Sequence, residues 1–222
     1  MKFVDGWYWP DGEQHMIEWI ADPKNRLVLN GRPAYQGKKQ ELALSHCDRR
    51  RTMIDCGAHI GLWSYNFAHW FSTIEAFEPV ADHRECFHRN VLVHGGYHAK
   101  TIRMYPCALG DREAMVHIRV NPMSSGDSWV KGKGTVPMKT LDSFGFEDVD
   151  FIKVDAEGYE EFILRGAEFT LKHWKPVVCV EQKRDMAVKF GLKPMGAVQY
   201  LIGLGYKVVD EISGDYIMKV PA

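Results

Sequence analysis

After residue 50 the chain alternates short apolar runs with longer amphipathic stretches. The runs at 52–55, 74–78, 101–106, 150–155 and 177–181 are rich in β-branched and apolar residues and short enough for buried strands. Between them, 61–71, 80–93 and 158–172 carry apolar residues at helical spacing: Trp63, Phe67, Trp70 and Phe71 in the first, Tyr159, Phe162, Ile163, Ala167 and Leu171 in the third. Both stripes are read as core. Strand alternating with helix predicts a parallel sheet with helices on both faces, an α/β fold.

Two regions depart from this rhythm. Runs at 114–120 and 134–139 predict a further pair of strands flanking the loop MSSGDSWVKGKG, placed to cover a bound acceptor. Near the C-terminus a helix at 194–203 leads into YKVVDEISGDYIMKV, two apolar runs joined by Ser213, Gly214 and Asp215, which predicts an antiparallel hairpin. A dinucleotide-binding sheet ordinarily continues parallel, so the hairpin argues against that reading.

Residues 1–48 fall outside the pattern and form an expected N-terminal cap or accessory segment, with 49–222 as the main domain. Trp7, Tyr8 and Trp9 either anchor this segment or stack on a sugar or base. The 222 residues, 45% hydrophobic, suffice for one substantial core. Five cysteines without CxxC spacing argue against a disulfide framework or zinc cluster and for a reducing cytoplasm. No leader-like apolar stretch opens the chain and no membrane-length run occurs, so a soluble protein is expected. A net charge of −1 gives no footprint for a long polyanion, which makes nucleic acid an improbable partner.

The chemistry concentrates at strand ends. Asp55, Cys56, Gly57, Ala58, His59, Ile60 and Gly61 form a glycine-bearing turn between the first strand and its helix. Such a turn lets backbone approach a ligand and offers helix N–H groups to an anion. Glu78, followed by Pro79, closes the next strand, where a carboxylate can hold both hydroxyls of a ribose. GxGxxG is absent, and Asp55 would repel pyrophosphate while attracting an ammonium. Donor-site candidates are therefore Asp55, Gly57, Ala58, His59, Gly61, Glu78 and Pro79, with Cys107 and Ala108 beside the base, and S-adenosylmethionine fits both signs of charge.

The DCGAHIG loop, FEPV, CALGD, and above all TLDSF followed by DFIKVDAEGYEEFILRGA, resemble the FkbM family of methyltransferases over roughly residues 50–182. The resemblance implies a class I methyltransferase fold, a Rossmann-like, mostly parallel sheet of seven strands with an antiparallel C-terminal strand. It also implies methyl transfer from S-adenosylmethionine, usually to a hydroxyl of a sugar or polyketide-type product.

Asp155 and Glu157, in KVDAEG, end the strand expected beside the glycine-loop strand, and Glu181 ends the next. These three are the candidate catalytic residues, with Asp155 or Glu157 as general base and Glu181 orienting the substrate or pairing with Lys153. The helix expected at Gly158 should lower the proton affinity of Asp155 and Glu157. Asp155, Glu181 and Gln182 could form an oxygen-ligand set for Mg²⁺, a reading not favoured, and the ten histidines share no ligand spacing, so no metal site is assigned. The competing functions are a non-catalytic S-adenosylmethionine-binding module and an NAD-dependent oxidoreductase.

Overall fold

A computed structural model describes residues 1–96, 101–121, 123–183 and 185–221. The elements, in chain order, begin with β1 (Lys2–Val4), β2 (Trp7–Trp9), α1 (His15–Ala21), β3 (Val28–Leu29), β4 (Arg32–Pro33) and α2 (Gly37–Ser45). There follow β5 (Thr52–Cys56), α3 (Leu62–Phe67), β6 (Thr73–Phe77), α4 (Ala81–Phe87) and β7 (Ile102–Tyr105). Next come β8 (Ala108–Leu109), β9 (Ala114–Arg119), β10 (Trp129–Lys133), β11 (Val136–Lys139) and β12 (Val149–Val154). The last are α5 (Glu160–Arg165), α6 (Glu168–Trp174), β13 (Val177–Glu181), α7 (Gly196–Gly203), β14 (Lys207–Ile212) and β15 (Asp215–Lys219).

The central sheet has seven strands in the order β14-β15-β13-β12-β5-β6-β7. From β13 to β7 neighbours are parallel, and β15 inserts antiparallel between β13 and β14, as the C-terminal hairpin predicts. This is the class I methyltransferase topology. Strand order reverses between β5 and β12, so a crevice opens beyond their carboxyl ends.

Both faces of the sheet are buried, as a parallel sheet requires. Ile54, Ile152, Val154, Val178 and Val180 pack with Ile163, Leu164, Leu171 and Leu201. Met53, Ile74, Phe151, Val177 and Cys179 pack with Ala43, Trp63, Phe67 and Phe87. Alternation along the strands then carries Asp55 and Lys153, paired in register, onto the second face, together with Cys179 and Glu181.

Several expected boundaries move for identifiable reasons. The helix expected at 158–172 is two helices. The chain breaks at Gly166, where a Cβ would stand 1.9 Å from the Gly110 carbonyl oxygen. Asp142, from the TLDSF motif, restarts it by accepting the N–H groups of Phe169 (2.8 Å) and Thr170 (3.0 Å). Trp70 leaves the expected core stripe: α3 ends at Phe67, and Trp70 is 52% exposed beneath the Arg50 guanidinium. The expected pair of strands gains a third, β10, from within the intervening loop, and these three join β8 in a four-stranded sheet.

Residues 1–48 contribute their own apolar cluster. Trp7, Trp9, Met16 and Ile20 close on Ile60, Leu62 and Cys86. Trp7 and Trp9 are fully buried and donate their indole N–H groups to the carbonyls of Pro33 (2.7 Å) and Val4 (3.2 Å), so they anchor the segment and are closed to stacking with a ligand. Tyr8 stacks on His94. All five cysteines are buried and free, and among the described residues no helix is long and apolar enough to cross a membrane.

Candidate active site

The carboxyl ends of β5, β6, β12 and β13 border one cleft with about 1170 Å³ of empty volume, counting its open mouth. Its lining includes Gly57, Ala58, His59, Glu78, Pro79, Cys107, Ala108, Asp155, Glu157 and Glu181, ten of the twelve residues singled out from the sequence. Asp55 and Gly61 are absent from the lining. Asp55 is wholly buried behind it, with one carboxylate oxygen accepting the Ser64 hydroxyl at 2.7 Å and the other 3.7 Å from Lys153 Nζ without a hydrogen-bond partner. Burial pushes the Asp55 carboxyl up, against the pull of Lys153 and Ser64.

The glycine loop is organised differently from the expectation. A Cβ on Gly57 (φ +83°) would lie 2.1 Å from the Asp155 carbonyl oxygen, and one on Gly61 (φ +91°) 2.3 Å from Val91. Both glycines thus serve close approach of protein to protein, locking the loop to β12 and to the helix after β6. The N–H groups of Gly57 and Ala58 both reach the Phe77 carbonyl, at 3.1 and 2.9 Å, and that of Gly61 reaches Ala58. These N–H groups are therefore not presented to an anion. His59 donates its N–H to Glu78 Oε2 at 2.9 Å, and Val80 donates to Glu78 Oε1 at 2.8 Å, so the carboxylate is aimed by its own neighbours and still lines the cleft.

At the ends of β12 and β13, Asp155, Glu157 and Glu181 bring carboxylate oxygens within 4.8 Å of one another, close enough to surround a cation. Two lysines supply positive charge here. Lys153 Nζ is 3.5 Å from Asp155 and donates to the Gly57 carbonyl at 3.1 Å, while Lys183 Nζ is 3.2 Å from Glu181 and 3.7 Å from Glu157. Glu181 therefore pairs with Lys183 rather than with Lys153. Gln182 stands apart from the expected oxygen set, because its Oε1 accepts the Ala197 N–H at 2.9 Å.

Crowding separates the three acids. Burial opposes the Asp155 charge, but Lys153, Lys183 and a hydrogen bond from Glu181 hold its carboxyl below the ordinary range. Burial and the Asp155 charge raise Glu157 to about 7, and the same two causes raise Glu181 to about 9. The expected helix N-terminus is not what lowers Asp155, which owes its shift to the lysines and Glu181, and Glu157 moves in the opposite direction. Helix α5 begins only at Glu160, whose own carboxylate accepts the N–H groups of Ala156 (3.0 Å) and Gly158 (2.8 Å).

Sequence reading passed over Lys183, Tyr35 and His83, which line the cleft, whereas Ser124–Val130, part of the loop expected to cover an acceptor, lines it as well. Lys183 directly follows VVCVEQ and had a signal in its position two residues beyond Glu181; Tyr35 had none. Donor-sized space, an aimed carboxylate at the end of β6, an apolar wall of Phe77, Cys107, Ala108 and Leu109, and the acids Asp155, Glu157 and Glu181 on the same cleft together fit a nucleoside joined to a cationic group.

Comparison with known proteins agrees with this geometry. The profile of the Methyltransferase FkbM domain matches residues 55–208. Methyltransferase 1 of Beauveria bassiana (strain ARSEF 2860) is 25% identical over 153 residues, which cover 55% of this chain and 59% of that protein. The chain thus spans about three fifths of the curated relative it matches. Among solved structures, Methyltransferase FkbM from Methylobacillus flagellatus KT superposes with a TM-score of 0.52 at 18% identity, covering 78% of this chain and 44% of the other. Precorrin-6y C5,15-methyltransferase from Geobacter metallireducens GS-15 gives 0.53 at 16% identity, covering 90% and 95%. The chain belongs to the FkbM methyltransferase domain family, whose cofactor is S-adenosylmethionine.

Proposed function

We propose that this protein moves a methyl group from S-adenosylmethionine to a hydroxyl oxygen of a small acceptor, a sugar or comparable natural product. The observation that carries the reading is the acidic trio Asp155, Glu157 and Glu181 sharing one cleft with Glu78 and the Gly57–His59 loop. In this reading residues 49–222 are the catalytic domain and 1–48 an accessory segment that closes one side of the cleft through His15, Met16, Tyr35 and Gln36.

The bound cofactor supplies an electrophilic methyl on a positively charged sulfur. Glu78 holds the ribose diol, with Pro79 fixing the turn after it. Cys107 and Ala108 flank the base. Gly57, Ala58 and His59 shape the wall for the methionine end, Gly61 secures that wall from behind, and Asp55 acts from behind it by fixing Lys153.

Glu157 is assigned as general base. Its carboxyl, raised to about 7, matches the proton affinity that general-base catalysis favours near neutral pH. Glu181, raised to about 9, keeps its proton, hydrogen-bonds Asp155 and orients the acceptor, while Asp155 stays ionised. Lys153 and Lys183 balance the acidic trio, so the charge that Mg²⁺ would bring is assigned to them.

The test is S-adenosylhomocysteine release measured against a panel of sugars, polyketide alcohols and amines, with NAD titrated in parallel. Turnover with alcohols supports the proposal. Turnover confined to amines would overturn the oxygen assignment, absence of turnover with retained cofactor binding would favour a binding module, and preference for NAD would overturn the donor.

A further inference from the structure

Glu13 lies in the N-terminal segment, in a stretch without periodic pattern, yet it is wholly buried. Among the described residues it has no ion-pair partner. Three donors hold it instead: the Met16 N–H on Oε1 at 2.7 Å, and on Oε2 the Ser125 N–H at 2.6 Å together with the Ser125 hydroxyl. A buried carboxylate satisfied by two separate parts of the chain loses most of its compensation if they part.

The proton inventory extends the link. Ser125 has one hydroxyl proton, and Glu13 takes it. The 2.7 Å contact between Ser125 Oγ and His59 Nε2 therefore requires a hydrogen on Nε2. His59 Nδ1 is then bare, which agrees with its being buried without a partner. The ring is neutral, because burial first, then His83 and Lys153, push its basicity well down.

His59 also carries backbone strain. Its φ is +51°, left-handed for a residue with a side chain, and such a conformation persists only where its surroundings hold it. Two contacts do so: the ring to Ser125, and the N–H to Glu78. Ser124–Val130 lines the cleft, as do His15 and Met16, and the two segments are joined at its edge by the Gln14 N–H donating to the Met123 carbonyl at 3.4 Å.

We propose that Glu13 and Ser125 are positioning residues for the donor site, clamping His59 so that its N–H aims Glu78 and so that the 123–128 strap stays closed over the bound nucleoside. The inference rests on the donor reading above. It makes the N-terminal segment part of the donor site.

The experiment follows dissociation of S-adenosylhomocysteine by stopped-flow fluorescence, with the cleft tryptophans Trp63 and Trp129 as reporters. Ser125→Ala should speed dissociation about tenfold, the scale of one hydrogen bond to a charged group, and Ser125→Thr, which keeps the hydroxyl, should restore it to within about threefold. Histidine ¹⁵N spectra should show His59 as the Nε2–H tautomer in the wild type and a mixture in Ser125→Ala. Should Ser125→Ala fail to fold, hydrogen exchange on the wild type decides: the 123–128 amides should slow about tenfold or more on adding S-adenosylhomocysteine, a loss of one well-made bond's worth of opening. Unchanged dissociation in a folded Ser125→Ala, or exchange indifferent to the nucleoside, overturns the clamp alone. Absence of S-adenosylhomocysteine binding by the wild type would overturn the donor reading first.

Discussion

Lys153 Nζ stands 3.5 Å from Asp155 Oδ2, two positions along the same strand face, and the lysine is 6% exposed. Side chains at i and i+2 of a strand project to one face, so the sequence K-V-D itself builds this pair. The register of β12 against β5 then brings Asp55 to the other side of the ammonium, at 3.7 Å. One buried cation therefore serves a structural acid behind the cleft wall and a site acid in front of it.

Removing that cation should leave Asp55 without a compensating charge and Asp155 with less of one. Lys153→Met is expected to destabilise the fold by about 3–5 kcal/mol, the usual cost of breaking a buried charge pair by deleting one partner. Urea unfolding checks it. Lys153→Met combined with Asp55→Asn should recover part of the loss, since the uncharged amide needs no cation.

The two ends of the cleft should separate in their response to substitution. Glu78→Gln is expected to weaken S-adenosylhomocysteine binding about 10- to 100-fold, the range for losing hydrogen bonds to a charged acceptor. Asp155→Asn should leave that affinity within a few-fold while suppressing turnover. Calorimetric titration of both variants reads the first effect, and a methyl-transfer assay the second.

Glu157→Gln should lower turnover by about 10²- to 10⁴-fold, the contribution of a positioned general base, with donor affinity retained. The wild-type rate should follow a bell. The rising limb falls near the Glu157 value of about 7, and the declining limb near the Glu181 value of about 9, where the proton that Glu181 shares with Asp155 is lost. Because the acids interact, the two limbs belong to the cluster as a whole. Glu157→Gln should abolish the acid limb.

The same raised acids affect stability, with a sign that follows from proton counting. Between the ordinary glutamate value of 4.5 and about 9 the folded state holds protons that the unfolded chain has released. Stability must then decline as pH rises through that window. Glu181→Gln, which imitates the protonated side chain, should flatten the decline, and melting temperatures from pH 5 to 9 measure it. A wild type whose stability rises steadily across this window would contradict the raised acids.

Much of the fold was legible because it is written in local patterns. The parallel strands are short apolar runs that end in acids at Asp55, Glu78, Asp155 and Glu181, and the C-terminal hairpin has its turn in Ser213 and Gly214. What could not be read locally was decided at a distance. The break at Gly166 depends on Gly110 and on Asp142, 24 residues earlier. That Gly57 and Gly61 make room for protein rather than ligand depends on where Asp155 and Val91 arrive. Asp55 looked like a ligand contact because strand alternation alone does not reveal that Lys153 lines the cleft in its place. Glu13 was invisible since nothing in MKFVDGWYWPDGEQH marks one acid among three for burial.

The most direct test of the central claim is the structure of the protein crystallised with S-adenosylhomocysteine. The ribose should lie against Glu78, the base beside Cys107 and Ala108, and the sulfur should face the space enclosed by Asp155, Glu157 and Glu181. A nucleoside bound away from Glu78, or a sulfur turned from that acidic trio, would contradict it.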